Sequence, residues 1–269
     1  MLYLEEISPT EAITLESNCQ INPTSYHQFY NGNCWQIMET LKDKSIDLVV
    51  TDPPYLIDTD PQHLQNRSTN VGKSFLKSLP KLSAFSSSLD IPQFYQALKR
   101  LQPKINAYIF ANKAQIPTYI KTFVEEGKCA FEILLWYKPN SIPAYKHHYL
   151  PDKEYLLLFK EKGAYLNPTS KINATTIFTA PMTAKERIKY NHPTVKPIEL
   201  IKRAIINSSN EGDTILDPFA GTGTTSIAAH SLNRNSVNIE INPDYYSTMK
   251  TRFTNEALSD NANPQAQTA

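Results

Sequence analysis

Apolar residues in this chain gather into short runs divided by polar, proline-bearing stretches. Runs that are β-branched or aromatic and stop abruptly predict strands at 46–51, 105–111, 131–137, 155–159, 214–217 and 236–240. Tyr30-Asn31-Gly32-Asn33 reads as the end of a further strand and its turn. Helical patterns occupy about 34–41, 91–101, 115–126, 198–207, 224–232 and 243–256. Pro117 falls in the first turn of its helix, and Gly127 falls at the C′ position that commonly ends one. Pro243 suits a first helical position with Asn242 as cap. About seven strands alternating with helices predict a doubly wound α/β sheet. It forms one domain over 1–257, whose first residues, 1–26, are a weakly patterned leader or edge segment. The polar stretch 258–269 is expected to be a disordered tail. Residues 56–90, rich in Ser and Lys, interrupt the pattern. A loop of that length is either functional or disordered, so a mobile substrate-contacting flap is one of two open readings.

Composition narrows this picture slightly. At 269 residues the chain can bury a substantial core. Three cysteines, Cys19, Cys34 and Cys129, are too few and too scattered for a disulfide framework or a zinc site, which fits a reducing cytoplasm. No metal site is expected. The chain lacks a basic start with an apolar h-region and has no run near ~18 apolar residues, so neither a signal peptide nor a membrane span is expected. Only seven glycines occur, where about 7% usage would give roughly nineteen. Gly221 and Gly223 sit together, so that pair is expected to serve backbone geometry.

Two stretches carry chemistry. Asp52-Pro53-Pro54-Tyr55 follows the strand 46–51. The prolines end pairing and stiffen the chain, presenting a carboxylate, a carbonyl and a ring at a strand's carboxyl end, where ligands bind in open α/β sheets. A plain proline-rich turn is the alternative. The second stretch, Asp217-Pro218-Phe219-Ala220-Gly221-Thr222-Gly223-Thr224-Thr225, is a strand–turn–helix unit with a small-residue loop. Glu240 ends the next strand, 19 residues after Gly221, where an acid can accept from both hydroxyls of a ribose. A P-loop needs a lysine that this loop lacks, and the dinucleotide fingerprint fails at Ser226. S-adenosylmethionine is the third candidate, with Asp217 able to pair with its ammonium, and a tight structural turn with an unrelated acid is the alternative.

Taken together, Asp52–Tyr55, Asp217–Thr225 and His192-Pro193-Thr194-Val195-Lys196-Pro197 resemble the motifs of the DNA amino-methyltransferases that act on adenine N6 or cytosine N4. The catalytic motif precedes the cofactor loop, as in the circularly permuted β class. Smaller matches at Tyr30–Cys34, Trp136–Lys138 and Asn238–Tyr246 extend the resemblance over most of 30–250. It implies a doubly wound, seven-stranded, Rossmann-like S-adenosylmethionine-dependent methyltransferase sheet with a pocket for a flipped-out base. Asp52, Pro53, Pro54 and Tyr55 are the implied catalytic residues. Asp52 and the Pro53 carbonyl accept the two amine hydrogens, and Tyr55 stacks on the base. The implied cofactor residues are Asn33, Asp52, Lys196, Asp217, Phe219, Ala220, Gly221, Thr222, Gly223, Thr224 and Glu240. Asn33 departs from the Asp common in the family. A carboxylate before Pro-Pro resembles the adenine members more than the cytosine-N4 members. C5 methylation would need a Pro-Cys nucleophile, which the chain lacks, and Cys34 and Cys129 read as ordinary buried thiols.

The net charge of +1 hides a segregation. Residues 138–203 hold twelve Lys or Arg against five Asp or Glu, a balance of +7, and the remainder carries −6. A basic segment of this kind suits double-stranded DNA. A solvated basic surface is the alternative. In the family, target recognition lies between the Trp136 strand and the His192 motif, so 138–191 is expected to be a small recognition insertion. Lys138, Tyr145, Lys146, His147 and His148 are its expected DNA contacts. The leading expectation is a site-specific adenine-N6 DNA methyltransferase in a restriction-modification, orphan or phage setting. Cytosine-N4 methylation, an RNA substrate and an inactive nucleic-acid-binding relative stay open. So do a homodimer and a cognate restriction endonuclease as partners.

Overall fold

The computed structural model of the chain describes residues 14–22, 25–55, 89–141, 149–182, 189–190 and 195–262. Its strands are β1 (Thr14–Asn22), β2 (Ser25–Asn31), β3 (Leu48–Thr51), β4 (Asn106–Ala111), β5 (Ala130–Tyr137), β6 (Lys153–Lys160), β7 (Ile177–Thr179), β8 (Thr214–Asp217) and β9 (Asn235–Glu240). They form one sheet in the order β1-β2-β9-β8-β3-β4-β6-β5-β7. The five strands from β2 to β4 run parallel. β6 is antiparallel to both β4 and β5. The expected seven strands are the central ones, and the structure adds an edge strand at each side. At one edge, β1 comes from the weakly patterned leader and pairs antiparallel with β2. At the other, the three-residue β7 pairs with β5 and is too short for any periodicity to show.

Every residue of β3, β4, β8 and β9 is buried, as strands covered on both faces must be. Alternation along the strands sorts their side chains between two cores. Val49, Ile109, Leu157 and Leu216 face α1 (Cys34–Thr40), α2 (Ile91–Leu101) and α3. The last is a turn of α-helix at Ile116–Tyr119 that widens into π-type turns over Ile120–Glu126. Leu48, Val50, Tyr108 and Phe110 face α4 (Ile198–Ser208) and α5 (Thr224–Ser231). A third cluster seats α6 (Pro243–Ala262) through Met249 and Phe253 against Phe29.

Two local expectations are revised. Gly127 has φ −81°, and the left-handed residue after α3 is Lys128, at φ 58°. Glycine stands at 127 because a Cβ there would lie 2.7 Å from the Phe123 carbonyl oxygen and 2.8 Å from the Tyr95 ring. Helix α6 continues to Ala262, past Leu258, where the tail was expected to start. Its cap is as read: the Asn242 side chain accepts from the Asp244 and Tyr245 amides. The expected flap lies outside the described residues except for Leu89 and Asp90, and the Asp90 side chain caps α2.

The sheet order reverses direction between β8 and β3. At such a switch point the connections leave on opposite faces and open a crevice beyond the carboxyl ends. Asp217 and Asp52 stand side by side there.

Candidate active site

Asp217 ends β8 with both carboxylate oxygens engaged. Thr51 Oγ1 donates to Oδ1 at 2.8 Å, the Phe219 amide to the same oxygen at 3.1 Å, and Thr225 Oγ1 to Oδ2 at 2.7 Å. One side chain thus ties the end of β3, the glycine loop and the first turn of α5 together. Burial pushes its carboxyl up to about 6; the hydroxyl bonds work against burial, and the nearby Asp52 charge adds to it. The expected ammonium partner is therefore first a clamp, and Thr51 and Thr225, whose hydroxyls complete it, were not singled out from the sequence.

The loop that follows bends through left-handed glycines, Gly221 at φ 53° and Gly223 at φ 79°. The Gly221 amide donates to Glu240 Oε2 at 2.8 Å, and the Asn242 amide to Oε1 at 2.7 Å. Each oxygen keeps acceptor capacity, and burial raises the Glu240 carboxyl against those two bonds. Ala220 donates to the Ile239 carbonyl at 2.9 Å, binding loop to β9. Thr222 and Thr224 both accept from Arg252 of α6, a buried arginine not expected here. Phe219 is half-buried and packs on Phe94, ring centroids 6.1 Å apart. Asn33 is exposed and caps α1 by accepting from the Trp35 amide at 2.9 Å.

Beside the clamp lies a chain of alternating charges. Lys196 donates to Asp52 Oδ2 and lies 3.2 Å from Glu154 Oε2, with its ammonium 4.7 Å from the Phe110 ring centre and 5.8 Å from that of Tyr55. Glu154 Oε1 accepts from Lys138 at 3.2 Å. Among the described residues, Asp52 Oδ1 and the Tyr55 hydroxyl are buried and make no hydrogen bond of good geometry, although the hydroxyl lies close enough to the carboxylate to favour its ionised form. Burial, opposed by Lys196 and reinforced by Glu154, leaves the Asp52 carboxyl above its ordinary range. Burial lowers Lys196, but the two carboxylates outweigh it and hold the ammonium charged. Burial also raises Glu154, and its two lysines overcome that, so its carboxyl is depressed.

Lys138 was expected to meet DNA phosphates. It is only 7% exposed, with its ammonium on Glu154 and 5.4 Å from the Trp136 ring centre, so it belongs to the site's interior. Lys196 and Arg203 of the same basic segment are buried too, so its surface charge is smaller than its composition implies. Tyr145, Lys146, His147 and His148 lie outside the described residues, as do His192, Pro193 and Thr194. Burial raises the Cys34 and Cys129 thiols to about 11, the behaviour of inert buried thiols. Among the described residues, no three His, Cys, Asp or Glu groups converge as a metal site, and no helix is long and apolar enough to cross a membrane.

A doubly wound sheet, a glycine loop answered by a strand-end acid, and a free carboxylate edge at the switch point define a Rossmann-like methyltransferase. The DNA methylase family model for N6 and N4 methyltransferases matches residues 46–251, and the chain belongs to that family. It is 29% identical over 238 residues to the type II methyltransferase M2.MboI of Moraxella bovis, covering 83% of this chain and 86% of that one. It is 25% identical over 252 residues to the DNA adenine methyltransferase YhdJ of Escherichia coli (strain K12), covering 80% and 78%. The solved M1.HpyAVI–SAM complex superposes with a TM-score of 0.59 at 25% identity, covering 84% of this chain and 98% of that one. The methyl donor is S-adenosylmethionine, and the residues present fit it. Glu240 at the end of β9 offers two oxygens with spare acceptor capacity for ribose hydroxyls, and Asp52, two strands away after β3, has a buried oxygen without a well-formed hydrogen bond. When bound, the donor supplies an electrophilic methyl group on a sulfonium; the nucleophile is left to the protein.

Proposed function

We propose that the chain methylates the exocyclic N6 amine of a flipped-out adenine at a defined site in double-stranded DNA. The observation that carries this reading is the divided Asp52 carboxylate: Lys196 holds Oδ2, while Oδ1 is buried and makes no well-formed hydrogen bond, with the Tyr55 hydroxyl the one other donor close to the carboxylate among the described residues. An orphaned buried acceptor is costly, about 1–3 kcal/mol, unless a ligand supplies the missing donor. An aryl amine is such a donor. Its lone pair is delocalised into the ring and makes it a poor nucleophile. Asp52 Oδ1 takes one amine hydrogen and the Pro53 carbonyl takes the other, which favours a pyramidal nitrogen with its lone pair free. A nitrogen that gains a methyl group must shed a proton, and Asp52 is the base in reach. Pro54 keeps this corner rigid, and Tyr55 supplies the stacking face.

Adenine is favoured by the carboxylate that opens the Asp-Pro-Pro-Tyr motif and by the adenine methyltransferase named among the relatives. The type II names support a restriction-modification setting with a cognate endonuclease. A cytoplasmic location and a homodimer remain parts of this reading. The domain spans 1–257; the expected target-recognition insertion 138–191 contains the sheet strand β6, so target recognition falls to the parts of it outside that strand, with Tyr145, Lys146, His147 and His148 as the DNA contacts. Phe219, Ala220, Gly221, Thr222, Gly223, Thr224, Asp217, Glu240, Lys196 and Asn33 surround the cofactor. The test is transfer from radiolabelled S-adenosylmethionine to DNA, then digestion and identification of the labelled nucleoside. N6-methyl-2′-deoxyadenosine is expected. Label on cytosine N4 overturns the base assignment, and label only on RNA overturns the substrate.

A further inference from the structure

We propose that Glu154 is a positioning residue for methyl transfer: it holds the Lys196 ammonium on one edge of the Asp52 carboxylate so that the other edge stays open to the substrate amine. The inference rests on the reading of Asp52 as the amine's acceptor. A lysine ammonium carries three donors on a flexible stem. Alone beside a carboxylate, it can bridge both oxygens and close the edge on which catalysis depends. In this structure it does not, because it is held from two further sides. Glu154 Oε2 stands 3.2 Å from Nζ, and the Phe110 ring closes the floor at 4.7 Å. Glu154 is itself fixed, with Lys138 of the segment following β5 on its other oxygen at 3.2 Å. The Lys138 amide in turn donates to the Asp152 carbonyl at 2.6 Å, locking that segment to the start of β6.

Topology explains why Glu154 can do this. β6 is antiparallel to β4, with Tyr155 opposite Ala111, so the amino end of β6 arrives at the edge where the parallel strands end. Four alternating charges, Asp52, Lys196, Glu154 and Lys138, neutralise one another inside a region too dry to hold any of them alone. Removing Glu154 would leave a lysine in excess next to Asp52. The groups facing the Asp52 carboxylate among the described residues are Lys196, Glu154, Tyr55 of its own turn, Tyr119 of α3 and Asp217 of β8. Glu154 is the anion of that set whose charge pushes the Asp52 carboxyl up, so its neutralisation lets that carboxyl fall.

The test compares single-turnover methylation of unmodified duplex DNA by the wild-type chain and by Glu154→Gln, as a function of pH, at saturating DNA and S-adenosylmethionine. Cofactor affinity by calorimetry and Tm are measured alongside. E154Q is expected to keep cofactor affinity while losing between about tenfold and about a hundredfold in rate, the scale of a misplaced catalytic group. The acid limb of its rate profile should move to lower pH, which a merely structural loss would not produce. A wild-type rate and acid limb in E154Q overturn the inference, as does a loss confined to cofactor affinity. Where E154Q yields no folded protein, Glu154→Asp decides. It keeps the charge but retracts it, so a lower rate with the acid limb in place supports the inference, and a wild-type rate overturns it. Absence of transfer by the wild-type chain is a different result, which overturns the reading of the site itself.

Discussion

At the scale of single residues, the two carboxylates that the sequence singled out have opposite tasks. Asp52 keeps an oxygen free and Asp217 keeps none. Asp52→Ala should therefore lower the single-turnover rate by about a hundredfold or more, as loss of a preorganised electrostatic group does. Cofactor binding should persist, and full activity in this variant would remove Asp52 from the chemistry. Asp217 predicts a pH signature. Its folded carboxyl titrates near 6 against an ordinary 3.8, so the native state holds the extra proton between those values. The cost of keeping it ionised is absent below the lower value and complete above the upper one. Relative to Asp217→Asn, the wild-type Tm should fall as pH rises from about 4 to about 6 and then level off. A difference that grows with pH would contradict the assignment. Asp52 and Asp217 were legible because each stands at the end of an apolar run beside a proline. Thr51 and Thr225 were not, since a threonine in a buried strand or a helix start is ordinary until its hydroxyl is seen on a carboxylate. Glu154 was hidden for a different reason. It falls just before the predicted strand 155–159, and only the antiparallel direction of β6 carries it to the site.

At the scale of elements, periodicity located most strands and helices to within a residue or two of their observed ends, because buried parallel strands are continuous apolar runs. It failed where the cause was not periodic. β7 was missed because three residues carry no pattern, and α3 was read as uniform because nothing in its sequence marks the switch to wider turns. Gly127 shows how a correct landmark can have another cause. A glycine in helical conformation normally gains about 0.4–1 kcal/mol on change to alanine. Here a Cβ would strike a backbone carbonyl at 2.7 Å, so Gly127→Ala should instead lose about 1–3 kcal/mol, read from the midpoint of urea unfolding. Another element-level prediction concerns the seam of β2 with α5 and α6. His27 bonds Ser236 Oγ at 2.9 Å and His230 Nδ1 at 3.3 Å and packs on Phe253; burial, then the His230 charge, lowers it to about 3. A histidine held neutral contributes stability above its ordinary 6.5 that is lost as pH falls towards 3. His27→Phe should be less stable than wild type at pH 8, yet show a flatter decline in Tm below about 6.5.

For the whole molecule, the charge map read from composition and the charge map of the folded chain differ, and the difference can be measured. The count over 138–203 treats every lysine as a phosphate contact, but folding withdraws Lys138, Lys196 and Arg203 into the interior. Sequence cannot make that distinction, because a buried lysine is recognisable only from the carboxylates folded against it. Salt dependence of DNA binding can make it. Each phosphate neutralised by a cation adds about 0.9 to the slope of log K against log salt on duplex DNA, whatever the sequence bound. If the reader of the DNA is the aromatic and cationic stretch around Lys146, Lys146→Ala should reduce the slope by about 0.9 and weaken binding to specific and non-specific duplexes alike. Lys138→Met should leave the slope where it is, although it disturbs the charge chain behind Asp52. Fluorescence anisotropy titrations across a range of salt concentrations would separate the two. A slope lowered by Lys138→Met and untouched by Lys146→Ala would return Lys138 to the surface and remove the interior chain of charges on which the arrangement at Asp52 depends.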